Sequence, residues 1–189
     1  AGNTDDDEGA PHKVDEAFGL YAGNACSGGS PFINAEKRRA SFGTTTVRED
    51  GTCLATINED MITSFNALLA AAREGDLDTA TSEVKAIKNL ILASYAQPTL
   101  LYAKELSDMA ANGETVEYED AEGLTFFYTI APLLSADTAK IIEAEFLNST
   151  EATYDTVKSA LESAFADAGI DAADVGEPLD EPEAVECTS

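Results

Sequence analysis

Basic residues are scarce in this chain: 11 Lys and Arg stand against 36 Asp and Glu among 189 residues, a formal net charge of −25. Nucleic acid and anionic membrane surfaces would be repelled by such a surface, so neither is an expected partner, and cations are the natural small ones. Histidine is scarcer still, with His12 alone. One imidazole cannot build a His-dependent triad, a zincin helix or a di-iron bundle of Glu-x-x-His pairs. The three cysteines, Cys26, Cys53 and Cys187, show no CxxC or Cys/His spacing, which argues against zinc. No GxSxG, P-loop or dinucleotide fingerprint occurs. No apolar run reaches the roughly 18 residues of a membrane span, so no membrane insertion is expected. An enzyme would have to work with carboxylates, Tyr and Arg alone, and no spacing singles out a carboxylate pair, so the chain reads as a non-enzyme.

What is present builds a core: 44% of the residues are hydrophobic, enough for one domain with tails. Residues 1–12, with Asp5-Asp6-Asp7-Glu8, read as an acidic N-terminal arm that could bind calcium weakly; residues 13–176 read as a helical domain. Residues 177–189, with Pro178 and Pro182, read as an extended acidic tail, since nine acids and no Lys or Arg follow residue 158. The opening Ala1-Gly2-Asn3, without an initiator methionine, is what signal-peptide removal or trimming leaves. The acidic excess also fits a surface solvated in saline surroundings. In a secreted chain one disulfide with one thiol left over is expected. Cys26 with Cys53 would close the polar loop region, whereas Cys187 could pair with either or with another chain.

The hydrophobic period is helical throughout, which predicts an all-α compact bundle of about five or six helices with β-structure nearly absent. Val14, Phe18 and Tyr21 share one face of a first helix that Gly23 stops. Ala35 to Phe42 reads as a short helical segment and Gly43 to Gly51 as a loop. Asn58 reads as the cap of a helix whose stripe is Met61, Ile62, Phe65, Leu68 and Leu69 and whose end is Gly75. A long helix from Asp78 or Thr79 should kink or break near Pro98, because proline removes an amide donor and crowds the preceding turn. Helices from about Tyr118 to Leu134, from Ser135 or Asp137 with Ile141, Ile142, Phe146 and Leu147 inward, and from Thr153 or Asp155 to Gly169 complete the set.

Two groups of residues carry candidate chemistry. Glu36-Lys37-Arg38-Arg39 is the single basic cluster of an acidic chain and reads as a structural tie or an anion site. Tyr95 and Tyr102, seven residues apart, would share a helix face, while Tyr21, Tyr118 and Tyr128 lie on other elements that could converge. Phenolate and carboxylate oxygens are hard ligands suited to ferric iron, and a guanidinium can hold a small anion that completes the coordination. The alternative is a set of amphipathic residues at the core edge with hydroxyls facing water.

Several strings taken together resemble a known family. They are Tyr21-Ala22-Gly23-Asn24, Ala35-Glu36-Lys37-Arg38 with Phe42, Gln97 with Thr99-Leu100-Leu101-Tyr102-Ala103, Glu122-Gly123 with Pro132-Leu133, and Ala173-Asp174-Val175-Gly176. In this order, over roughly residues 17–176, they are similar to the Fe-assimilating (FEA) domain of low-iron-inducible periplasmic proteins of algae and, more distantly, to phytotransferrins. The resemblance implies a secreted, periplasmic or cell-surface helical protein of iron assimilation, binding a cation, Fe(III), with carbonate; calcium is the alternative ion. It places the polar signature on Glu36, Arg38, Gln97, Tyr102 and Glu122; of these, Glu36, Tyr102 and Glu122 read as metal ligands, and Arg38 and Gln97 as anion holders, while the whole set could equally be a register-fixing network. A rival reading is a structural subunit of an extracellular filament or surface layer, self-assembled through its terminal arms. Asn148-Ser149-Thr150 matches a glycosylation sequon.

Overall fold

The computed structural model describes residues 2–24 and 29–188 and shows an all-α protein: eight helices and one two-stranded hairpin among the described residues. The count exceeds five or six because the shortest helix, of four residues, is too short to imprint a period on the sequence; the short helical segment expected from Ala35 to Phe42 lies at Pro31–Arg38. The chain divides into two units, one formed by Ala1–Arg39, Thr45–Ile91 and Val185–Ser189, the other by Ala40–Thr44 and Leu92–Ala184.

In the first unit, helix α1 (Ala10–Ala22) lays Val14, Phe18 and Tyr21 against Met61 and Phe65 of α3 (Thr56–Glu74), the face anticipated from their spacing. Phe18 meets Phe65 edge-on at 5.3 Å between ring centroids. The acidic residues before α1 turn back on the helix start. Gly9 N–H donates to Asp5 O and Ala10 N–H to Asn3 O, both at 2.8 Å, and Arg73 pairs with Asp6 at 2.8 Å. Amides that a helix start leaves without intrahelical partners are thereby bonded by the chain itself.

Helix α2 (Pro31–Arg38) starts at Ser30, whose hydroxyl accepts the Ile33 N–H at 3.3 Å. The stretch read as a loop carries strand β1 (Thr45–Val47), paired antiparallel with β2 (Cys53–Ala55) so that Thr46 faces Leu54. Three β-branched residues in succession favour this extended form. Asn58 is not the cap of α3. Ala55 is, and Asn58 lies one turn inside, fully buried.

Cys53 and Cys187 form the disulfide, with Cα atoms 5.6 Å apart across a sequence separation of 134, which corrects the Cys26–Cys53 pairing; Cys26 lies outside the described residues. Spacing could not disclose it, because the contact depends on where the tail returns. Thr188 N–H donates to Gly51 O at 2.8 Å and its hydroxyl to Asp50 O at 3.1 Å, laying the chain end along the hairpin turn. Cys187 is therefore bonded within its own chain.

Helix α4 (Leu77–Asn112) gives its first residues to this unit and those from Leu92 onward to the second. It runs unbroken through Pro98, where a break was one expected outcome. Pro98 deprives the Ser94 carbonyl of its usual intrahelical donor, and one residue on, the Thr99 hydroxyl donates to Tyr95 O at 2.8 Å. Leu92 to Leu100 are buried apart from Tyr95, so packing holds a helix that propensity alone would interrupt.

In the second unit, α5 (Glu119–Ile130) passes into a 3-10 turn (Ala131–Leu133), and α6 (Ala136–Leu147), α7 (Thr153–Ala168) and α8 (Ala172–Val175) follow. The Ser135 hydroxyl accepts the Thr138 N–H at 3.1 Å, and Gly169 closes α7 in the left-handed conformation. Val157, Leu161 and Phe165 are buried on α7. Helix α6 buries a narrower stripe than expected: Ile142 and Phe146 are inside, while Ile141 and Leu147 are 46% and 61% exposed. Adjacent helical residues lie about 100° apart, so Ile141 and Ile142 cannot both face one neighbour squarely. At Gly123 the Phe146 ring rests directly on the α5 backbone, where any Cβ would overlap it. The segment after α8 is extended but held, by Leu179 N–H on Ser41 O at 2.8 Å, Glu183 N–H on Ala40 O at 2.7 Å, and Lys158 on Glu177 at 2.7 Å.

Candidate functional site

The basic cluster resolves first. In the first unit Glu36, near the end of α2, uses both carboxylate oxygens: Oε1 accepts from Ala55 N–H at 2.8 Å and Asn58 Nδ2 at 2.6 Å, and Oε2 pairs with Arg39 at 3.2 Å. Asn58 is equally committed. Its second amide bond goes to Phe32 O at 3.1 Å, and its Oδ1 accepts the proton of the Tyr21 hydroxyl. A carboxylate on the amide of Ala55, the residue that caps α3, also meets the positive end of the helix dipole. The line Tyr21–Asn58–Glu36–Arg39 ties α1, α2 and α3 together. Arg38 follows on α2, half-buried, beside the exposed Lys37.

The other three predicted residues belong to the second unit. Gln97, buried on α4, donates from Nε2 to Val175 O at 2.8 Å and to Thr44 Oγ1 at 3.2 Å, and so joins α4 to the end of α8. Tyr102 stacks on Phe126 of α5, ring centroids 5.8 Å apart and 15° from parallel, and Tyr95 lies 6.3 Å from the same ring. The shared α4 face anticipated for the two tyrosines is thus turned toward α5. Glu122 is exposed one helical turn before Phe126, so the two side chains project from neighbouring positions on one face of α5.

The remaining phenols differ in setting. Burial pushes the Tyr95 hydroxyl above its ordinary ionisation range. Tyr128 donates to Glu143 Oε1 at 2.6 Å, a bond that raises its pKa because ionisation would break it beside a carboxylate. Tyr154 is raised chiefly by burial and then by Glu177. An open groove between α6 and α7, lined by Thr138, Thr156, Ser159 and Ser163, holds one carboxylate, Asp155, and no tyrosine. Among the described residues no three His, Cys, Asp or Glu side chains gather as a metal cage.

Sequence reasoning missed Asn58 as the hub of the first network and the Val175 carbonyl as the partner of Gln97. The signal for the second lay in the strings, since Val175 stands in one of them; Asn58 stands in none. Glu36, Gln97, Gly123 and Val175 are points where one helix is fastened to another, and the quoted motifs mark those fastenings.

These features define a disulfide-clasped, all-α protein whose polar strings are mostly ties; no helix of its described residues is long and apolar enough to cross a membrane. The chain belongs to the family of low iron-inducible periplasmic proteins (Fea1), which it matches over residues 1–189. No curated protein matches it, and no solved structure does. Membership makes it a periplasmic protein of iron assimilation, in a family not known for an enzymatic activity.

Proposed function

We propose that the chain binds ferric iron through oxygen ligands on the α4 and α5 faces of the second unit, with Tyr102 giving a phenolate and Glu122 a carboxylate. The observation that carries this reading is the stacking of Tyr102 on Phe126, one turn from Glu122, in a family defined by iron limitation. Fe(III) is a hard cation that displaces the phenol proton, so phenolate and carboxylate suit it better than any other donors this chain holds. A net charge of −25 concentrates cations at the surface before any ligand is engaged.

In this reading Glu36 fixes geometry, because coordination would require it to release Asn58, the Ala55 amide and Arg39 together. Arg38, in the first unit, is a separate candidate for holding a small anion such as carbonate. Elemental analysis of protein purified without chelator, followed by ferric titration with and without bicarbonate, tests the proposal. Iron should be retained, and Glu122→Ala should weaken uptake with or without bicarbonate. Absence of ferric uptake under both conditions contradicts the reading.

A further inference from the structure

The sequon Asn148-Ser149-Thr150 is the one motif that the iron reading leaves unused, and the structure gives it a setting. Asn148 is the C-terminal cap of α6, exposed, at the start of the short turn into α7. Its Nδ2 makes a single long bond, 3.3 Å, to Ala144 O of its own helix. The Thr150 hydroxyl accepts the Ala152 N–H at 3.2 Å and keeps its own proton, and Thr150 is itself exposed. Beside the sequon, Leu147 leaves 61% of its surface uncovered.

We propose that Asn148 is an N-glycosylation acceptor whose glycan covers the α6–α7 turn and leaves the Tyr102–Glu122 face open. In the transfer, Nδ2 forms a bond to the anomeric carbon of a polyprenyl-pyrophosphate-linked oligosaccharide. The bond from that carbon to the pyrophosphate oxygen breaks, the lipid pyrophosphate leaves with the electron pair, and one amide proton passes to solvent. No oxidant or reductant is required. The second amide hydrogen remains, so the bond to Ala144 O survives modification and no buried polar group is stripped of a partner.

Direction follows from the helix. Phe146 rests on Gly123 of α5, so the end of α6 lies level with Glu122. Asn148 is exposed and its Nδ2 reaches back to the carbonyl oxygen of Ala144, another exposed residue of α6, so its side chain lies on the outer surface of that helix and not in its contact with α5. A glycan there extends outward from the turn, over the apolar Leu147 side chain, and not across the phenol–carboxylate face. A periplasmic destination takes the chain through the compartment boundary where such transfer occurs.

The test is expression of the full chain in a eukaryotic secretory host. The secreted protein should carry one discrete glycan mass that peptide-N-glycosidase removes. Both Asn148→Gln and Thr150→Ala should lack it, and Thr150→Ser should retain part of it. Enzymatic deglycosylation of the folded protein should leave ferric uptake within twofold of the untreated sample. A secreted wild-type chain with no glycosidase-sensitive mass overturns the assignment, as does a glycan that persists in both Asn148→Gln and Thr150→Ala. Uptake that changes several-fold on deglycosylation overturns the outward placement.

Discussion

Glu36 and Glu122 are both carboxylates of the family strings, and their surroundings are opposite. Glu36 in the first unit has each oxygen engaged by a backbone amide, an amide side chain or a guanidinium, on a line that includes two fully or nearly buried residues, Asn58 and Tyr21. Glu122 in the second unit is exposed at the start of α5. A saturated carboxylate holds elements in place, and its ligand-binding capacity is already taken. In the proposed reading, an exposed one on the same α5 face as Phe126 accepts a cation without loss to the fold.

The comparison breaks most visibly if the ties of the first unit prove dispensable. Cys53→Ser, which removes the clasp closing a sequence separation of 134, is expected to cost about 2–5 kcal/mol in urea unfolding. Asn58→Ala should cost about 2–4 kcal/mol, because it strands the Tyr21 hydroxyl and one bond of Glu36 in the interior. A loss below about 0.5 kcal/mol for Asn58→Ala would show that the Glu36 line is not a tie.

Neighbouring positions on α5 sharpen the contrast. Gly123→Ala forces a methyl into the Phe146 ring and should destabilise by about 1–3 kcal/mol, partly relieved in the double variant Gly123→Ala with Phe146→Leu. Glu122→Ala, one residue away and exposed, should shift unfolding by no more than about 0.5 kcal/mol while weakening ferric uptake. Equal stability losses at the two positions would erase the distinction between packing residue and ligand.

The smallest expected effect is alkaline. Tyr95 is raised by burial and Tyr128 by its bond to Glu143, so the folded chain holds these phenol protons more tightly than the unfolded chain. That stability is intact below the ordinary phenol value of about 10 and is lost as pH rises through the folded values. Urea midpoints should therefore fall between about pH 9 and pH 11, with less of a fall in Tyr128→Phe. A midpoint independent of pH across that interval would count against both settings.

Much of this was legible in the sequence where a long period met a clear stop. The α1 face of Val14, Phe18 and Tyr21, the stop at Gly75, the Ser135 cap and the close of α7 at Gly169 all follow from local patterns. Features set by distant contacts were not legible. The Cys53–Cys187 bond depends on the path of the tail, and the burial of Asn58 depends on α1 and α2 arriving beside it. Of the candidate site, the residues were visible through the family strings. Their separation into ties and open donors was not, because a string of letters does not show which oxygens are already bonded.

The central claim is that Tyr102 and the exposed Glu122, not the saturated line, meet the iron. Its most direct test is the phenolate-to-iron absorption band during ferric titration of the wild type and of Tyr102→Phe. The account predicts a band in the wild type that is lost in Tyr102→Phe, with unfolding unchanged. A band of undiminished intensity in Tyr102→Phe would contradict it.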